Sequence, residues 1–124
     1  MGRVLIVEDS PECGRPLRRL FESEGHVVAH AANGRAGLEA AASFGPDVVV
    51  TDLMMPVMDG ISMIEELRRD PRFAGLPVVV FTAWGDAGVR RRLAALAVRA
   101  IHIKADPDLP ALLKSVADAG GAAD

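Results

Sequence analysis

Glu8-Asp9, Asp52, Thr82-Ala83 and Lys104 are the residues of this chain whose types could do chemistry together. Each stands at the end of a short apolar run. Three carboxylates brought close would repel one another and raise their pKa values unless a cation sat among them. All their ligand atoms are oxygens, and no cysteine or histidine pair accompanies them. Such a set favours Mg²⁺, which takes one or two carboxylates, a carbonyl and waters. Lys104 adds a compact ammonium in a chain that uses arginine for nearly all its cations, its only other lysine being Lys114. There it acts as a point charge toward an anionic oxygen, such as that of a phosphoryl group, where a planar guanidinium would behave differently.

These groups can meet only if the elements carrying them end side by side. The apolar runs are rich in valine and isoleucine, too short for helices, and separated by stretches with helical spacing, which predicts alternating strands and helices. Strands are expected at Val4 to Glu8, His26 to His30, Asp47 to Asp52, Pro77 to Thr82 and Ala100 to Lys104. Val48-Val49-Val50 and Val78-Val79-Val80 have apolar side chains at consecutive positions, so both faces must be covered, as in a parallel sheet between helices. The run with a histidine at each end reads as an edge. Leu17, Leu20 and Phe21 share one face of a first helix stopped near Gly25, and Asn33 is a plausible N-cap for the second. Ile61, Ile64 and Leu67 stripe the third helix, Val89, Leu93 and Leu96 the fourth, and Leu109, Leu112, Leu113 and Val116 the fifth. In such a (βα)₅ arrangement ligands bind at the carboxyl ends of the strands, where the loops diverge. That is where the carboxylates, the hydroxyl and the ammonium fall.

The bulk numbers set outer limits. A chain of 124 residues, half of them apolar, can bury one core and is too short for two ordinary domains. A net charge of −3 provides no strong field to attract nucleic acid or an anionic membrane, so neither is an expected partner. No long apolar segment or leader-like start is visible, and the single Cys13 cannot form an internal disulfide; both suit a cytoplasmic location. Cys13 itself reads as a small residue near a helix start. His26, His30 and His102 lack metal-like spacing and read as surface or packing residues. Arg90-Arg91-Arg92 reads as a solvated helix face, and Met54, Met55 and Met58 as packing and loop-shaping residues.

The strand-end pattern Glu8-Asp9, the segment from Asp52 through Met54, Pro56 and Asp59 to Gly60 (D-x-x-M-P-x-M-D-G), Thr82-Ala83 and the late Lys104 resemble the receiver domain of two-component response regulators. The resemblance covers nearly the whole chain in order. It implies a flavodoxin-like three-layer α/β sandwich, a parallel five-stranded sheet in the order 2-1-3-4-5, over residues 1–119, with a fraying tail at 120–124. It makes Asp52 the phospho-acceptor and its donor a phosphohistidine on a sensor histidine kinase or histidine phosphotransfer protein. It places Mg²⁺ on Asp9, the Asp52 side chain and the Met54 backbone carbonyl, with Glu8 acting through water. It pairs Lys104 with a phosphoryl oxygen and gives Thr82 and the Ala83 backbone amide as hydrogen-bond donors. Pro56 and Gly60 would redirect the chain so that Asp59 caps the third helix. The chain would be a single-domain, stand-alone switch or phosphorelay intermediate, not an enzyme beyond its own phosphorylation and slow autodephosphorylation. The family most often uses the face of the fourth helix, fifth strand and fifth helix for partners, and the downstream target is not readable here. The alternative is a phosphorylation-independent pseudo-receiver that works as a protein-binding module. A phosphatase of the haloacid dehalogenase type resembles D-x-D and fails at Met54.

The chain departs from the family pattern in places. Ile101 stands where members usually have Tyr or Phe, which implies a weakened ring-rotation half of the switch. Ala105 follows Lys104 where a proline is usual, so a trans bond is expected there. Pro16 is expected to be the first residue of the first helix, with Ser10 to Arg15 an extended loop containing Cys13 and Gly14. Met54 and Trp84, at the mouth of the site, are expected to slow hydrolysis of the acyl phosphate.

Overall fold

A computed structural model of the chain describes residues 2–83 and 85–121. The β-branched runs form strands β1 (Arg3–Val7), β2 (Val27–Ala31), β3 (Val48–Thr51), β4 (Val78–Thr82) and β5 (Ala100–Ile103). Each bound lies within one residue of the sequence expectation. The strands are all parallel, in the order β2-β1-β3-β4-β5, so the run flanked by histidines is indeed an edge. Helices α1 (Pro11–Ser23), α2 (Gly34–Phe44), α3 (Gly60–Arg69), α4 (Ala87–Ala95) and α5 (Leu109–Gly121) complete the flavodoxin-like fold.

Consecutive valines serve both sides of the sheet because side chains alternate along a strand. Leu5, Val7, Val49, Val78 and Val80 meet Ala41 of α2, Met63, Ile64 and Leu67 of α3, and Val89 and Leu93 of α4. Val4, Ile6, Val48, Val50, Val79 and Phe81 face the other way, onto Leu17 and Phe21 of α1 and Leu112, Val116 and Ala119 of α5. Burying a side chain such as Phe21 in full stabilises the fold by about 1.5–3 kcal/mol relative to exposure. The helix starts are fixed by side-chain caps: Asn33 Oδ1 accepts from the Ala36 amide, Asp59 Oδ1 from Ser62 and Asp86 Oδ1 from Val89. The Lys104 to Ala105 bond is trans.

One expectation is overturned. Ser10 to Arg15 is not an extended loop. Helix α1 begins at Pro11 and carries Cys13, Gly14 and Pro16 within it. The Gly14 amide already bonds the Ser10 carbonyl at 2.8 Å, two residues before Pro16. The proline therefore removes a donor from a helix in progress. Tertiary packing outweighs that cost, because Gly14, Leu17 and Phe21 form one buried stripe that only a continuous helix keeps against the sheet. At the other end, α5 includes Gly120 and Gly121. Residues 122–124 and Trp84 lie outside the described residues.

Candidate functional site

Parallel strands β1, β3, β4 and β5 all end at one edge of the sheet, and their registers bring the chemistry together. Val7 pairs with Thr51, and Thr82 with Ile103, so Glu8, Asp52 and Lys104 each follow directly from a paired strand end. The Asp52 amide donates to the Val7 carbonyl at 3.0 Å and the Lys104 amide to the Thr82 carbonyl at 2.8 Å, extending the ladder beyond the strands. Glu8 and Asp52 are 2% and 8% exposed, whereas Asp9 faces outward.

Lys104 Nζ reaches both buried carboxylates, 2.9 Å from Asp52 Oδ2 and 3.0 Å from Glu8 Oε2. Asp52 Oδ1 accepts from the Leu53 amide at 2.6 Å, and the Thr82 side chain adds a further hydrogen bond. Glu8 Oε1 receives only a long contact, 3.3 Å, from the Ser10 amide. These unequal supports push the acids apart. Burial alone would raise Asp52, but bonds from Lys104, the Leu53 amide and Thr82, with the Lys104 charge, hold it below the usual aspartate value. Burial also raises Glu8; the negative charge of Asp52 adds to it, and Lys104 does not fully compensate. Desolvation opposes the ammonium of Lys104, yet its bonds to Asp52 and Glu8 raise its pKa well above that of an ordinary lysine.

The donor set suits a hard divalent cation. Glu8, Asp9 and Asp52 each offer a carboxylate oxygen, all within 4.8 Å of one another, an all-oxygen set of the kind such an ion takes. Met54 lies two residues beyond Asp52 on the rim, its side chain 64% exposed, while Met55 and Met58 pack onto the core. Of the loop methionines, then, Met54 does not pack. Ala83 is exposed next to buried Thr82. The loop from Asp52 to α3 returns tightly: the Gly60 amide donates to the Leu53 carbonyl at 2.9 Å, and a Cβ at Gly60 would collide with the Asp52 carbonyl.

Two features were not foreseen. Val57, 76% exposed, takes a positive φ of 68°, with the Met58 amide bonded to the Pro56 carbonyl at 2.7 Å across it. His30, read from sequence as a surface or packing residue, places its Nε2 2.8 Å from the Glu8 carbonyl oxygen. A histidine at the last but one position of an edge strand beside the acidic pair was the available signal.

A family model for the response regulator receiver domain matches residues 4–114. The chain belongs to this family. Its receiver sequence is 38% identical over 82 residues to protein PilH of Pseudomonas aeruginosa, covering 66% of this chain and 68% of that protein. It is 41% identical over 90 residues, 73% of the chain, to hybrid signal transduction histidine kinase D of Dictyostelium discoideum, of which it spans only 6%. It likewise spans 35% of the transcriptional regulator RpaA of Synechocystis and 10% of the sensor histidine kinase TmoS of Ectopseudomonas mendocina. Among solved structures, a sensor protein from Polaromonas is 32% identical with a TM-score of 0.88, covering 96% of this chain and 95% of that one. The receiver domain of a histidine kinase from Syntrophus aciditrophicus is 28% identical with a TM-score of 0.87, covering 98% and 92%. Receiver domains bind Mg²⁺ at an acidic pocket and are phosphorylated by histidine kinases, so signalling through phosphorylation is the family-level function here. None of the receiver's described helices is long and apolar enough to cross a membrane.

Proposed function

We propose that Asp52 accepts a phosphoryl group from a phosphohistidine of a sensor histidine kinase or histidine phosphotransfer protein, and that the aspartyl phosphate switches the receiver's conformation or passes the group onward. The observation that carries this reading is the double engagement of Lys104 Nζ with Asp52 and Glu8. It keeps a nearly buried carboxylate ionised at a strand end, where a nucleophile must be charged to react.

In the transfer an Asp52 carboxylate oxygen forms its bond to phosphorus while the bond from phosphorus to the donor imidazole nitrogen breaks. The electron pair of that bond stays on the imidazole. The ammonium of Lys104, already placed beside the carboxylate, follows the charge onto the phosphoryl oxygens, and the Thr82 hydroxyl and Ala83 amide donate to them. Asp9, the Asp52 side chain and the Met54 carbonyl are the groups that would hold Mg²⁺, with Glu8 acting through water. Bound there, the ion supplies positive charge against the anionic oxygens. In this reading the receiver acts on its own Asp52 alone, through phosphorylation and slow hydrolysis.

Intact mass after incubation with a small acyl phosphate and Mg²⁺ tests the assignment. Wild type should gain one phosphoryl group, and Asp52→Asn or a sample held in excess chelator should gain none. An unmodified wild type would favour the phosphorylation-independent binding module, and an adduct on Asp52→Asn would move the acceptor elsewhere.

A further inference from the structure

We infer that His30 is a positioning residue for the divalent-cation site, acting through the peptide that joins Glu8 to Asp9; the inference rests on the Mg²⁺ reading above. Strands β1 and β2 pair with Ile6 opposite His30 and Val7 opposite Ala31. The ladder runs one bond past the strands, from the Glu8 amide to the Ala31 carbonyl at 2.9 Å. The next rung would bring the Asn33 amide to the Glu8 carbonyl, but Asn33 has turned away to cap α2, its side chain bonded to Ala36. The imidazole of His30 takes the vacated place, Nε2–H donating to the Glu8 carbonyl at 2.8 Å.

Helix α1 makes room for this ring. A Cβ at Gly14 would stand 3.0 Å from His30 Nε2 and 3.7 Å from Glu8 Cγ. Glycine inside a helix costs about 0.5–1 kcal/mol relative to alanine, so its presence here answers a packing need. The Glu8 carbonyl belongs to the peptide whose plane sets the direction of the Asp9 side chain. Asp9 is exposed, and no hydrogen bond of its carboxylate is seen among the described residues, so its aim depends on the backbone that carries it. Holding a ligand through a hydrogen bond one step removed from the metal is a general way of tuning affinity.

The test is Mg²⁺ affinity by calorimetry, with Mn²⁺ binding by electron paramagnetic resonance as a second readout, on wild type and four variants. His30→Ala is expected to weaken binding about tenfold, within the usual range for such supporting groups, and His30→Gln, which retains a donor, to recover most of it. Arg18→Ala removes a 3.2 Å bond from α1 to the Val28 carbonyl without touching Glu8, and should leave affinity unchanged. Asp9→Asn should abolish binding. Wild-type affinity in His30→Ala beside loss in Asp9→Asn would overturn the role of His30 and leave the metal reading standing. So would equal weakening in Arg18→Ala and His30→Ala, which would trace the effect to the seating of α1. A wild type that binds neither ion, or Asp9→Asn that binds as well as wild type, would overturn both.

Discussion

Lys104 meets Asp52 and Glu8 with one ammonium that favours the charged form of both, yet burial leaves Glu8 raised while the added bonds from the Leu53 amide and Thr82 leave Asp52 lowered. Glu8 has a folded-state pKa above its unfolded value, so its contribution to stability is complete below the unfolded value and is lost as pH rises through the folded one. Asp52 is lowered; its contribution is present above the unfolded value and is lost as pH falls through the folded one. The metal-free receiver is therefore expected to lose stability as pH rises above the ordinary glutamate range, and Glu8→Gln to lack that decline. Urea midpoints across pH give the comparison, and a variant profile parallel to wild type would contradict it. The members of this cluster were legible in sequence because each ends a β-branched run, and parallel strands end together. His30 was not, because its value depends on the register between β1 and β2 and on where the chain leaves β2 to cap α2.

Among the elements, α1 shows packing overriding local preference. Its buried stripe of Gly14, Leu17 and Phe21 needs an unbroken helix, although Pro16 withholds an amide from it. Pro16→Ala restores that donor and should stabilise the protein by about 1–3 kcal/mol, read as a higher denaturant midpoint. No gain would mean that the fixed φ of the proline, which narrows the unfolded ensemble, offsets the missing bond. The loop into α3 carries a different cost, a β-branched residue in the left-handed region at Val57. Val57→Gly should raise stability by about 1 kcal/mol, and a lower melting temperature would show that the valine is held there by contacts worth more than the strain. The strand bounds were legible to within one residue because burial on both faces demands runs of β-branched residues. The start of α1 was not, since the penalty of Pro16 is local and visible whereas the stripe that outweighs it is a property of the packed sheet.

At the scale of the molecule, the sheet gathers the ionic site at one end, and β5, which ends there, also packs against the core beside α4. Ile101 pairs with Val80 and packs, partly buried, on the core cluster that includes Val89 and Leu93 of α4. If a ring at this position is what makes the family's switch large, Ile101→Tyr should widen the difference between the amide spectra of the phosphorylated and unphosphorylated protein over α4 and β5. Identical differences in wild type and variant would place the transmission elsewhere. The sheet order came with the resemblance to the receiver family, whereas composition, the alternation of strand and helix patterns, and the residues at the strand ends were enough by themselves to determine the α/β class and the membership of the acidic cluster. They suffice because periodicity and turn chemistry are local, and a parallel sheet converts strand ends into neighbours without further instruction. The tertiary structure alone decided that α1 runs through Pro16, that Lys104 spans two carboxylates whose pKa values burial and unequal hydrogen bonding set apart, and that His30 bonds the Glu8 carbonyl. Each of these depends on distances of about three ångströms between segments far apart in sequence, set by register and packing.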